Sequence, residues 1–250
     1  MKVAALYDIH GNLPALEAVL DELRGEGVDR VVVGGDVLPG PMPRETINRL
    51  VSLDLPVEFI YGNGETAVLE HLAGREPAKV PDLYQPAIRW TAEEVRATHG
   101  SAIAGWPLTR QVDIPGIGNV FFCHATPRNE DEIFTAATPE ERLLPIFGGL
   151  GAPVVVCGHT HMQFDRIVGR TRVVNAGSVG MPFGEPGADW LLLGDGNTGL
   201  QLRHTAYDLQ AAAGRVRSTA FPWPEDFGTR YILQPPSAAE MLEVLTCASL

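Results

Sequence analysis

Val3-Ala4-Ala5-Leu6-Tyr7-Asp8-Ile9-His10-Gly11-Asn12 runs five apolar positions straight into a carboxylate, an imidazole, a glycine and an amide. The apolar half reads as a buried strand, and the polar string follows where that strand ends. From Leu13 to Arg24 the chain carries Leu16, Val19, Leu20 and Leu23 at helical spacing, and Gly25 and Gly27 close the segment. Val31-Val32-Val33 is the next strand, Arg44 to Leu53 the next helix with Ile47, Leu50 and Val51, and Val57-Glu58-Phe59-Ile60-Tyr61 the third strand. Strand, helix, strand, helix, strand at this spacing predicts parallel βαβ units.

Residues 66–110 break the rhythm with Pro77, Pro81 and Pro86 and a helical stretch from Trp90 to His99. Two readings of this helical excursion stand open: an ordinary surface crossover, or a partial cap over a site. Beyond it, Val112–Ile114 and Asn119–Cys123 flank the hairpin signal Pro115-Gly116-Ile117-Gly118. Glu140–Phe147 predicts a helix feeding the strand Val154–Cys157. Phe164–Val168, Thr171–Asn175, Trp190–Asp195 and Gly199–Arg203, with turns at 169–170 and 194–197, predict an antiparallel sheet packed on the first. Leu209–Arg217 reads as a late helix, and the proline-bearing tail as irregular. A single domain over residues 1–250 is the expectation.

The balance of 19 Lys and Arg against 31 Asp and Glu gives a net charge of −12, which repels extended nucleic acid. A small phosphorylated substrate stays compatible, because bound cations would invert the potential locally. Hydrophobic content of 45% and charged content of 20% are those of a globular chain. Cys123 and Cys157 fall inside apolar strands and read as small buried hydrophobes, while Cys247 carries no signal. The first strand leaves no room for a signal-peptide core, and no apolar run approaches the roughly 18 residues of a membrane helix. A cytoplasmic protein with no membrane contact is expected. The oligomeric state is left open, with Leu242, Val244 and Leu245 readable as core or as interface.

Five strings carry the chemistry: Asp8-Ile9-His10, Gly35-Asp36, Gly62-Asn63, His124 and Gly158-His159-Thr160-His161. Each follows or lies in an apolar strand run, and the ends of buried strands are where ligand sites assemble in open sheets. Asp8, His10, Asp36, Asn63, His124, His159 and His161 supply carboxylate, imidazole and amide oxygen without thiolate, which suits Mn, Fe, Zn or Mg. Asp36 is the natural bridge between two cations. Such a pair clamps a phosphate, lowers the pKa of a shared water and stabilises the leaving oxygen, three effects that phosphoryl hydrolysis needs together. His71, His99 and His204 lie outside the strings and are expected at the surface or behind the site. No GxGxxG or P-loop string supports a nucleotide-binding reading.

This set resembles the calcineurin-like metallophosphoesterases. Asp8-Ile9-His10-Gly11-Asn12, Asn175-Ala176-Gly177-Ser178-Val179-Gly180 and Tyr207-Asp208-Leu209 are similar to a small stand-alone bacterial and archaeal branch of that family. The resemblance implies an α/β fold, a four-layered α/β/β/α sandwich of two packed mixed sheets with metals at the strand ends. It implies two divalent metal ions, manganese being the one expected in vitro. Asp8, His10, Asp36 and His161 would hold one, and Asp36, Asn63, His124 and His159 the other. Asp36, Asn63 and His124 carry the catalytic role, and Asn12 resembles a substrate-binding position near the phosphate.

One departure stands out. The family's third string continues with histidine, whereas here it reads Gly62-Asn63-Gly64-Glu65. That histidine normally lies near the leaving oxygen, and loss of a general acid forfeits about 10²–10⁴-fold when the leaving group is poor. Glu65, His99 or a residue of the excursion are the candidates to replace it. The expected function is a phosphoesterase acting through a metal-bridging hydroxide, with phosphodiesters slightly favoured over monoesters. The alternative is a catalytically weakened metal- or nucleotide-binding regulatory protein of the same fold.

Overall fold

The computed structural model describes residues 1–196 and 199–248. Its first part follows the alternation read from the sequence: β1 (Lys2–Leu6), α1 (Leu13–Glu26), β2 (Arg30–Gly34), α2 (Pro43–Val51) and β3 (Val57–Ile60). β1 pairs in parallel with β2, and β2 with β3. After its first residue each of β1 and β2 is wholly buried, as strands covered on both faces must be. Helix α1 starts where Asn12 accepts the Ala15 N–H at 3.3 Å and Pro14 takes a first-turn position that needs no donor.

The excursion holds α3 (Asn63–Leu72), a tight turn at Asp82–Tyr84, α4 (Gln85–Arg96) and the single turn α5 (Gly100–Ile103). The helix expected from Trp90 opens earlier, at Gln85. Pro86 reads as punctuation in the sequence, yet it occupies the first turn of α4, where proline is tolerated.

The second sheet holds β4 (Thr109–Ile114), β5 (Gly118–Cys123), β6 (Val154–Cys157), β7 (Phe164–Val168) and β8 (Thr171–Asn175), with α6 (Glu140–Phe147) preceding β6. Its order is β4-β5-β6-β8-β7, with β5, β6 and β8 parallel and the two edge strands antiparallel. The late strands do not form one antiparallel sheet, as their sequence suggests. β9 (Ala188–Gly194) returns to lie antiparallel to β1, and β10 (Gly199–Thr205) pairs with β9, giving the first sheet the order β10-β9-β1-β2-β3. This covers an edge of β1 that would otherwise present unpaired backbone groups. Of the turn expected at 194–197, Asn197 lies outside the described residues.

The tail is not irregular either. It forms α7 (Leu209–Arg217), the short α8 (Pro224–Phe227), a wide helical turn at Gly228–Leu233 and α9 (Ala238–Ala248). Its prolines flank these elements, with Pro224 in the first turn of α8. No described residue of α9 is buried, and Val244 is 58% exposed, so the apolar tail positions are not core.

Three buried clusters separate the layers. Ala4 and Leu6 of β1 pack with Leu16, Leu20 and Leu50 on the helix side, while Val3, Ala5 and Tyr7 turn inward onto Val120, Phe122, Val154 and Val156 of the other sheet. That is the period-2 alternation of a strand between two cores. Phe121, Cys123 and Val155 face away onto Leu143 and Phe147 of α6. The result is the four-layered sandwich of two mixed sheets. Tyr7, fully buried, donates its hydroxyl to the Val156 carbonyl at 3.0 Å and ties the sheets together. Cys123 and Cys157 are buried free thiols, as their apolar surroundings predict. Among the described residues no helix is long and apolar enough to cross a membrane.

Candidate metal centre

All five strings emerge at the carboxyl ends of parallel strands. Asp8 and His10 follow β1, Asp36 follows β2, Asn63 opens α3 after β3, His124 follows β5, and His159 and His161 follow β6. The loops brace one another through their backbones. Asp8 N donates to Gly35 O at 3.1 Å, His10 N to Asp36 O at 2.9 Å and Gly158 N to His124 O at 2.8 Å. Asp8 Oδ2 accepts the His159 N–H across the two sheets at 2.9 Å.

Asp8, His10, Asp36, His159 and His161 have left-handed backbones, with φ of 52°, 47°, 50°, 68° and 57°. No other described non-glycine residue does. Such conformations cost on the order of 1–3 kcal/mol each and persist only where the surroundings enforce them. Five of the seven candidate residues are therefore strained into place, which a core-packing role does not require.

The side chains converge. His10, His124 and His161 each turn Nδ1 to a backbone carbonyl: Pro39 at 3.3 Å, Gly34 at 2.9 Å and Met181 at 2.9 Å. A carbonyl only accepts, so each Nδ1 carries the proton and each Nε2 is aimed inward. His10 Nε2 and His161 Nε2 meet at 3.2 Å. Asp8 Oδ1, buried and without a hydrogen-bond partner, lies 3.3 Å from His161 Nε2, 3.8 Å from His124 Nε2 and 3.9 Å from His10 Nε2. Asp36 spans the same ground, with Oδ2 3.7 Å from His10 Nε2 and Oδ1 3.6 Å from His124 Nε2.

Among the described residues two groups have the spacing of a cation site: Asp8, His10 and His161, and Asp8, Asp36 and His124. Asn63 Oδ1 joins the second at 3.1 Å from His124 Nε2, and the His159 ring stands 5.1 Å from that of His124. Asp8 belongs to both groups, a central position that nothing in the sequence distinguishes from that of Asp36. Inward Nε2 atoms in contact, beside an orphaned carboxylate oxygen, are the arrangement that divalent cations resolve. The oxygen and nitrogen donor set fits them.

The electrostatics agree. Burial pushes His10 and His159 down to about 3, helped by His161 and His124 respectively. Burial and the neighbouring Glu65 and Asp8 hold the Asp36 carboxyl well above its ordinary range. Burial opposes charge on both Asp8 and His161, yet their mutual attraction wins, holding Asp8 low and His161 high. The cluster thus retains protons that a cation would displace.

Other expectations fall differently. Asn12 is not brought to the site: its carbonyl caps α1 and its amide donates to Gly180 O at 2.8 Å and Tyr207 Oη at 3.4 Å. The Asn175 loop is a support, with Asn175 Nδ2 donating to Gly158 O at 2.6 Å behind the histidines. His204 pairs with Asp189 at 2.8 Å, and neither it, His71 nor His99 lines the cavity beside the cluster. Glu65 has no free carboxylate for acid catalysis. It is fully buried and accepts three backbone N–H groups, from Asp36, Leu38 and Gly62, at 2.8–2.9 Å. Gly62 must lack a side chain, since a Cβ there would meet Asp36 Oδ1 at 2.3 Å.

Residues 1–194 match the family model of the calcineurin-like phosphoesterase superfamily domain. The uncharacterized protein MJ0912 of Methanocaldococcus jannaschii is 25% identical over 249 residues, covering 92% of this chain and 97% of that protein. Among solved structures, the hypothetical protein PH1004 from Pyrococcus horikoshii shares the fold with a TM-score of 0.79 at 21% identity, covering 94% of this chain and 99% of its own. A metallophosphoesterase from Sphaerobacter thermophilus does so with a TM-score of 0.71 at 23% identity, covering 92% and 98%.

Proposed function

This chain belongs to the calcineurin-like phosphoesterase superfamily, and from that premise we propose that it is a dinuclear-metal phosphoesterase acting on small phosphate esters in the cytoplasm, with diesters favoured. The observation that carries the reading is the contact of His10 Nε2 with His161 Nε2 at 3.2 Å beside the orphaned Asp8 Oδ1. Asp8, His10, Asp36 and His161 would hold one cation, and Asp36, Asn63, His124 and His159 the other, with Asp8 close enough to serve both. When bound, such cations lower the pKa of a water and neutralise phosphate oxygens.

The protein's own contribution is orientation. The carbonyls of Gly34, Pro39 and Met181 fix the three imidazoles in one tautomer, and the Glu65 clamp fixes the loops that carry Asp36 and Asn63. Gly64 N–H donates to Asp36 Oδ1 at 2.7 Å and leaves Oδ2 directed at the His10 side. A diester carries a single negative charge and asks less neutralisation than a monoester. No acid stands at position 64 to protonate a departing oxygen, so esters with good leaving groups are the favoured substrates.

Gly64 also favours a second reading, a metal-binding regulatory protein without useful turnover. Hydrolysis of bis-p-nitrophenyl phosphate beside p-nitrophenyl phosphate, on chelator-stripped protein reloaded with Mn²⁺, separates the two. Metal-dependent release of nitrophenolate, faster from the diester, is expected. Metal binding without release from either ester would overturn the enzyme reading and leave the binding protein.

A further inference from the structure

Beside the cluster lies a cavity of about 360 Å³, in the range of roughly 300–1,000 Å³ usual for small-molecule sites. His10, Asp36, Asn63, His159 and His161 form its polar end. The rest is mainly apolar, with Lys79 and Asp226 as its charged members, and comes chiefly from two distant parts of the chain. The excursion supplies Val80, Pro81, Tyr84 and Ile88. The segment after α7 supplies Phe221, Trp223, Phe227 and Tyr231, all beyond the 194 residues that match the family model.

The second wall is a connected aromatic packing. Phe221 meets Trp90, Trp223 and Phe227 edge-on, with ring centroids 5.5, 6.3 and 5.9 Å apart, and Phe227 meets Tyr231 at 5.4 Å. Edge-to-face packing of this kind fixes the rings before any ligand arrives, and the half-buried Trp223 and Tyr231 keep surface on the cavity side. Among the described lining residues Lys79 is the one Lys or Arg, and Asp131 already pairs with it.

Resting on the phosphoesterase reading, we propose that this cavity selects phosphate esters whose organic group is an aromatic ring, seated between the excursion and the 221–231 segment with its phosphate over the cluster. Further phosphates on that group would find no free cation in the cavity. Sugar hydroxyls would lose water against walls that are mainly apolar. A flat apolar ring loses little hydration and gains faces to pack on.

The test is calorimetric titration of Mn²⁺-loaded protein with phenylphosphonate and methylphosphonate, whose carbon–phosphorus bonds are not ester bonds. The phenyl compound should bind about tenfold more tightly or better, the scale of one good ring contact plus its buried area. Trp223→Ala should narrow that ratio to within about threefold. Tyr84→Ala, at a position 48% exposed and safe for folding, should narrow it in the same direction. Quenching of tryptophan fluorescence by phenylphosphonate gives a readout independent of turnover. Equal affinities, absence of binding by both, or a ratio that survives both substitutions would overturn the assignment. A clear phenyl preference in protein that leaves nitrophenyl esters intact would instead sink the esterase reading and leave the cavity assignment standing.

Discussion

Gly64 lies against the carbonyl of Leu38: a Cβ at position 64 would come within 2.0 Å of that oxygen and 3.0 Å of Asp36 Oδ1. The absence of the family's histidine is therefore built into the path of the 36–42 loop and is not a vacancy that a side chain could simply refill.

Restoring the histidine should harm the protein. Gly64→His and the smaller Gly64→Ala must both push the Leu38 carbonyl aside and disturb the Gly64 N–H bond to Asp36. A loss of about 1–3 kcal/mol is expected, the usual cost of overpacking, along with weaker cation binding. Urea unfolding and Mn²⁺ titration measure the two effects. A Gly64→His protein as stable as the parent and faster on poor leaving groups would contradict this geometry.

Asp36→Asn separates charge from shape. The amide oxygen can still accept the Gly64 N–H, so the fold should survive by circular dichroism. Turnover should fall by about 10²–10³-fold, the scale of removing one organised electrostatic group. A variant as active as the parent would remove Asp36 from its assigned place between the cations.

Glu65→Gln tests the clamp. Three backbone donors converge on this carboxylate, and a carboxamide must turn its own N–H₂ toward at least one of them. The expected cost is about 1–3 kcal/mol, with a fall in Mn²⁺ affinity, since the clamped loops carry Asp36 and Asn63. Thermal unfolding with and without Mn²⁺ reads both. Unchanged stability together with altered leaving-group dependence would instead make Glu65 the acid.

Cation binding should release protons. The Asp36 and His161 pKa values are raised, so protons compete with the cation at both, whereas His10 and His159 are already neutral near pH 7. Affinity should rise with pH until Asp36 and His161 have lost their protons, and fall as acidification restores them. Calorimetry in buffers of different ionisation enthalpy counts the released protons. Affinity indifferent to pH would contradict the raised values of Asp36 and His161.

The sequence already marks the seven candidate residues, because buried parallel strands are visible as apolar runs and their ends as the polar strings that interrupt them. The spacing of α1 and α6 is as legible. What periodicity does not carry is partnership. Nothing in Trp190–Asp195 says that it pairs with β1 and not with its predecessors β7 and β8, since both edges offer the same backbone. Asn12 looks like a ligand-binding amide, yet the same residue type in the same place is a helix cap. The aromatic wall is invisible for a related reason: Phe221, Trp223, Phe227 and Tyr231 sit among prolines in a stretch without a period, and only their fold places them across from Tyr84. The left-handed backbones leave no mark either, beyond the tolerance of Asp and His for that region.

The cluster draws four of its groups from the first sheet, Asp8, His10, Asp36 and Asn63, and three from the second, His124, His159 and His161. Cations held there would cross-link two layers that otherwise meet through apolar side chains and a few bonds such as that of Tyr7 to Val156. The cooperativity of unfolding would then become a property of the site: loaded protein would be expected to release both layers in one event, and stripped protein to let the layers part before either sheet melts.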